Sequence, residues 1–174
     1  MTYILIGILI IGGITFLYAN QKNKRTNQKS EFKAEQKTDS MPEKKFFASD
    51  SLSFSEKLNK TKELYPFKRW RESFFEYGME QYTEENCNVA KTIFDNLIDK
   101  LIALGENGNE KEKIALFEKA VLSLNDLGNK VEGLIETGER EDLCGLIDQI
   151  TIASGLNPNN YAGGEGLSDL WREW

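Results

Sequence analysis

The chain has 174 residues, with 22 Lys and Arg against 28 Asp and Glu, a net charge of −6, two cysteines and no histidine. The missing histidine removes the commonest general base and metal ligand, and it excludes Ser-His-Asp and Cys-His catalysis within this chain. Cys87 and Cys144 are too far apart for a disulfide framework or a zinc site, and both fall on apolar helix faces as small hydrophobes.

The N-terminus reads "MTYILIGILIIGGITFLYANQKNKR", in which every residue from Tyr3 to Tyr18 is apolar, aromatic, Gly or Thr. At about 1.5 Å per residue this run reaches roughly 24 Å, and the uncharged flanks Met1, Thr2 and Ala19 extend it toward the roughly 30 Å hydrocarbon core. No basic residue precedes it, and Leu17 in "LYA" spoils a small-residue cleavage site, so a removed secretory signal fits poorly. Lys22, Lys24, Arg25, Lys29 and Lys33 follow it instead. The positive-inside rule then predicts a retained single-pass anchor over 1–19, with the N-terminus outside and the C-terminal domain in the cytoplasm.

Residues 20–50 are polar and rich in charge, with little to bury, and predict a disordered basic tether. Such a linker spans about 30 Å. Asn20 to Ser49 carries 8 basic and 4 acidic residues, net +4, whereas Asp50 to Trp174 carries 14 and 24, net −10. The tether can rest on anionic lipid, while the acidic domain is repelled from nucleic acid.

From residue 51 onward the periodicity is helical throughout. Ser55 is a candidate cap for a short helix "EKLNKTKEL". Pro66 suits the first turn of the next, whose stripe is Phe67, Trp70, Phe74 and Tyr77. Thr83 is a candidate cap for a third helix, with Cys87, Ala90, Phe94, Leu97, Leu101 and Leu104 facing inward and Gly105 ending it. Asn109 and Glu112 resemble a capping box for a fourth, with Ile114, Phe117, Val121 and Leu124 inward and Gly128 as its stop. "NKVEGLIETG" reads as an irregular connection. "EREDLCGLIDQITIASG" is a fifth helix with Leu143, Ile147 and Ile150 inward, ended by Gly155, Leu156 and Pro158. "NPNNYAGGEG" is a loop and "LSDLWREW" a last helical turn or two. No segment alternates like a strand for long, so the expected fold is all-α: a four- to five-helix bundle-like domain over 51–174.

Three clusters invite a function. Glu136, Glu139, Glu141 and Asp142 crowd one helix start, where carboxylates favour the helix dipole but could also meet a basic partner. A carboxylate-based enzyme is the least favoured use of them, and no catalytic residue is assigned. The loop "NPNNYAGGEG" has glycines and amide oxygens, yet an EF-hand started at Asn157 puts Tyr161 and Ala162 where a ligand and the turn glycine belong. No nucleotide-binding motif occurs, and nothing calls for a metal or a cofactor. Trp171 and Trp174, three apart, are expected to share a helix face, either closing the core or anchoring a partner.

"LIETGEREDLCGLIDQITIASGL" with the closing "LWREW" resembles the C-terminal half of small bacterial helical proteins similar to the immunity proteins of polymorphic toxin systems. The likeness covers about a third of the chain, from Val121 onward. It implies a binding protein without a catalytic motif. The expectation is therefore a membrane-tethered cytosolic module that binds a protein, a basic one, as an immunity or inhibitor protein does. The partner contacts fall at Glu136, Glu139, Glu141, Asp142, Trp171 and Trp174. A scaffold subunit of a membrane complex is the alternative.

Overall fold

The computed structural model describes residues 52–174. The expected anchor over 1–19 and tether over 20–50 lie outside the described residues. Among those described, no helix is long and apolar enough to cross a membrane.

The described residues form five α-helices and short 3-10 turns, with no strand among them. They are α1 (Phe54–Lys60), α2 (Phe67–Tyr77), α3 (Glu84–Leu104), α4 (Glu110–Lys130) and α5 (Thr137–Ala153). A 3-10 turn at Thr61–Leu64 joins α1 to α2, and three more, at Pro158–Asn160, Ala162–Gly164 and Ser168–Leu170, carry the chain to its end. The all-α reading holds for this region.

Local chemistry sets the helix ends. Thr83 and Asn109 cap α3 and α4 with side-chain oxygens that accept from the N–H groups of Asn86 and Lys111. Glu112 adds no reciprocal bond, so the cap of α4 is single. At α1 the cap is Ser53 rather than Ser55. Its hydroxyl accepts from Glu56 N–H while the Glu56 carboxylate accepts from Ser53 N–H at 2.7 Å, a true capping box. After α5, Gly155 takes a left-handed φ of 83°. Leu156 N–H then bonds back to Thr151 O and Gly155 N–H to Ile152 O, the paired pattern of a Schellman end.

Gly128 does not stop α4, which runs on to Lys130 with Val131 N–H bonded to Leu127 O. A glycine inside a helix costs only about 1 kcal/mol, which the burial of Leu124 and Leu127 on the same turns outweighs. The connection to α5 is accordingly shorter than expected, and it buries Leu134.

The long helices α3 and α4 form a hairpin across the Gly105–Asn109 turn. Phe94, Ile98, Leu101, Phe117, Val121 and Leu124 lie fully buried. α1 and α2 pack on α3, and α5 packs on α1 and the following 3-10 turn. Leu143, Ile147 and Ile150 of α5 are buried as expected. Ile114 and Leu104, expected inward, are only half-buried. The position that buries a turn earlier on α4 is Lys113, 5% exposed, one helical step before Phe117.

A chain of rings links α2 and the residue before it to α3. Phe67 stacks edge-on with Tyr65 and Trp70, both at 5.3 Å, and lies 5.9 Å from Phe94, while Trp70 sits 5.9 Å from Tyr82. The expected inward stripe of α2 breaks after Trp70. Phe74 is half-buried, and Tyr77 and its neighbour Phe75 stand 74% and 71% exposed. The ring chain already fills the space under the first half of α2, and the helix runs on past the edge of the core.

Candidate functional site

The acidic start of α5 is built into the fold. Asp142 accepts from Trp70 Nε1 at 2.9 Å and from Arg69 Nη2, so α5 is bolted to α2 through one carboxylate. Its side chain is 23% exposed and Arg69's is 66% exposed. Glu139 Oε2 accepts from the N–H of Glu136, one helical turn back, and satisfies a donor at the helix entry. Burial, then the Glu139 carboxylate, raise the pKa of the enclosed Tyr82 hydroxyl. Glu141 is the member of the cluster that stands exposed with no hydrogen bond or ion pair among the described residues.

Trp171 and Trp174 do not share a helix face. The last 3-10 turn ends at Leu170, Arg172 N–H still reaches Ser168 O, and the chain then leaves helical geometry. The buried amide of Asn125 on α4 holds this segment at two points, donating to Trp171 O at 2.9 Å and accepting from Glu173 N–H at 3.2 Å. Arg172 pairs with Asp169 and donates to Trp174 O at 2.8 Å. Both indoles are half-buried, and that of Trp174 lines a small hollow of about 190 Å³ beside Gly133 and Ile135, the residues leading into α5. The structure thus places Trp174 near the entry to the acidic helix.

The two cysteines are free, Cys87 buried and Cys144 half-buried. Burial pushes both thiols up, opposed at Cys87 by the Arg71 charge and at Cys144 by a 3.5 Å contact with Ser168 Oγ. In the glycine loop, Asn157 Oδ1 accepts from Asn159 N–H and Tyr161 donates to Glu110 at 2.8 Å. Burial and that carboxylate push the Tyr161 hydroxyl up to about 12. Among the described residues no three acidic or thiol groups converge to hold a metal.

A groove of about 570 Å³ lies between α2 and α3. Tyr65 and Phe67 lie at one end and Phe75 at the other, with Cys87 on the α3 side. Lys62 and Lys91 meet at Asp95, at 3.3 and 2.5 Å, and Tyr65 donates to the same carboxylate at 3.1 Å. Burial alone would raise the Asp95 carboxyl, but the bonds from Lys91, Lys62 and Tyr65 outweigh it and hold it below its ordinary value. At the far end Arg71 spreads over two rings, 4.3 Å from the centre of Phe74 and 4.2 Å from that of Phe75. Among the described residues its one hydrogen bond is a long one, 3.4 Å, to Tyr82 O.

No protein-family model, curated protein or solved structure matches this chain. The sequence singled out the stripe of α2, but gave no sign that the stripe is broken or that a groove opens beside it. The signal was there in part: "RESFFEY" sets Phe74, Phe75 and Tyr77 round more of the helix than one core-facing stripe can bury.

Proposed function

We propose that the domain is a protein-binding module, held at a membrane by the apolar run near its N-terminus and acting on its partner as an inhibitor of the immunity kind. The observation that carries this reading is the pair of exposed rings, Phe75 and Tyr77, on a helix whose earlier rings, Phe67 and Trp70, are buried. Burying a large apolar side chain is worth about 1.5–3 kcal/mol, so rings left in water are a ready source of binding energy. The absence of histidine speaks against the commoner catalytic schemes, and the likeness of the C-terminal third to immunity-like proteins favours inhibition over scaffolding.

The contact is assigned to α2 because two of the four carboxylates first expected to meet a partner, Glu139 and Asp142, already have duties inside the domain. A basic partner seated on the acidic start of α5 is the competing reading, favoured by the net charge of −10 from Asp50 onward. Photo-crosslinking from position 72 of the full chain, exposed on the same helix, in the cells that make it, separates the two. Capture of a defined protein, lost in a Phe75→Ser, Tyr77→Ser double variant of unchanged melting temperature, is the expected result. Capture that survives the double variant but disappears with Glu141→Lys would hand the function to the acidic face. The membrane tether has its own test: an active alkaline phosphatase fused behind Trp174 would reverse the orientation.

A further inference from the structure

The lining of the α2–α3 groove is richer in cations than the acidic domain around it, and one of those cations has no counter-charge among the described residues. Lys62, Lys68, Arg71 and Lys91 line it, against the carboxylates of Glu72 and Glu84, within a region of net −10. Lys62 and Lys91 are taken up by Asp95, Asp99 lies 3.7 Å from Lys62, and Lys68 stands 3.9 Å from Glu72. Arg71 differs. Among the described residues no carboxylate lies within ion-pair distance of it. Its half-buried guanidinium is held in place by two aromatic faces rather than by a counter-charge. A guanidinium fixed at the lip of an apolar groove, with most of its donors unused, is a ready carboxylate receptor, because its planar fork matches two carboxylate oxygens.

The shape adds the second constraint. The α2 residues on the groove are Phe67, Lys68, Arg71, Glu72 and Phe75, and the α3 residues are Glu84, Cys87, Asn88 and Lys91. Their steps of three and four mark one face of each helix, and Phe67 to Phe75 covers about 12 Å at 1.5 Å per residue. A trough of that length between two helices is the seat for about two turns of a third, which lays its apolar i, i+3, i+4 and i+7 positions on the floor. We infer that the groove takes an acidic amphipathic helix of a partner protein: apolar side chains against Tyr65, Phe67 and Phe75, and a marginal Glu or Asp on Arg71. This rests on the protein-binding reading above and names the kind of segment that reading requires.

The test uses the full chain in lipid nanodiscs and two fluorescein-labelled helical peptides. Both have Leu at i, i+3, i+4 and i+7. One has Glu at its flanking positions, the other Lys. The Glu peptide should bind, and the Lys peptide should bind at least about tenfold more weakly, as expected when like charges meet at a half-desolvated site. Arg71→Gln should weaken the Glu peptide about tenfold, the loss of one charge pair worth about 1.4 kcal/mol. It should leave the melting temperature within a degree or two. Phe75→Ser should weaken both peptides alike. The inference is overturned if the Lys peptide binds as tightly as the Glu peptide, if Arg71→Gln changes nothing, or if neither peptide binds. Binding of anionic vesicles lacking any peptide, with the same Arg71 dependence, would overturn it in favour of a lipid surface. The crosslinked segment captured from position 72 keeps the two levels apart. A partner whose crosslinked segment is basic sinks this inference and leaves the binding module standing, whereas no partner at all sinks both.

Discussion

Lys113→Met should be among the most damaging changes of a charged residue in the domain. The Lys113 ammonium is enclosed between three elements. It donates to Ser154 O at 2.8 Å, at the end of α5, and to Glu106 O at 2.7 Å, in the turn after α3, with the Phe54 ring of α1 centred 5.4 Å away. Methionine keeps most of the stem and deletes the donor. The Ser154 carbonyl is then left in a buried site, because Ser154 is itself fully enclosed. An orphaned buried acceptor costs about 1–3 kcal/mol. The Glu106 carbonyl belongs to an exposed residue and can turn to water, which limits its share to about 1 kcal/mol or less. Relief from holding a charge in the interior offsets part of the loss. The net expectation is a destabilisation of about 2–3 kcal/mol, or about 6–12 °C in melting temperature for a domain of this size. Urea unfolding followed by circular dichroism measures it, with Lys111→Met, exposed one step along the same turn, as the control expected within about 0.5 kcal/mol. If Lys113→Met matches that control with an unchanged m-value, the two carbonyl bonds contribute nothing net and the latch is misread.

Leu143→Ala should cost about 2–5 kcal/mol, since Leu143 is wholly enclosed at the foot of α5; a melting temperature unchanged to a degree would refute its place in the core. Gly166→Ala should destabilise by about 2 kcal/mol or more, because Gly166 holds φ at +92° and a Cβ there would meet Asp148 Oδ1 at 2.5 Å; Gly164→Ala, with φ +105° but open space around it, should be milder, and equal effects would show that backbone strain alone decides. Asp95 has a folded pKa below its unfolded value, so its contribution is complete above the unfolded pKa near 4 and is lost as pH falls through the folded one. Asp95→Asn should therefore flatten the fall in stability below about pH 4 in a pH series of urea melts, and an acid limb identical to the parent's would remove Asp95 from its cause.

Much of the fold was legible because its signals are local. Thr83, Asn109, Gly105 and Gly155 mark helix ends through bonds that reach only a few residues, and the apolar spacing of α3 and α5 repeats with the helical period. What could not be read depends on distant partners. Asp142 looks like one of several surface acids until Arg69 and Trp70, 73 and 72 positions earlier, are folded against it. Lys113 continues the spacing of Phe117, Ala120 and Leu124, yet a lysine on an apolar stripe is ordinarily passed over in favour of the neighbouring Ile114. The Trp pair was given a helix that Asn125, some 46 residues away, replaces with a side-chain clamp. The candidate groove was the least legible feature, since it is the space left where the α2 stripe stops being buried, and sequence periodicity reports what is filled.

The bond from Trp70 to Asp142 has a bearing on how the domain assembles. It joins α2 to α5 across the whole of α3 and α4. Those two helices meet across a short turn, so their hairpin can form from neighbouring sequence at little entropic expense. Spanning 72 positions rather than 18 adds only about 1.2 kcal/mol to the closure entropy, so the bridge is affordable once the hairpin stands, and it is of little use before. Asp142 is thus a late contact. Its removal should speed unfolding and leave the folding rate nearly unchanged, so this carboxylate governs how long the native state lasts more than how fast it is reached.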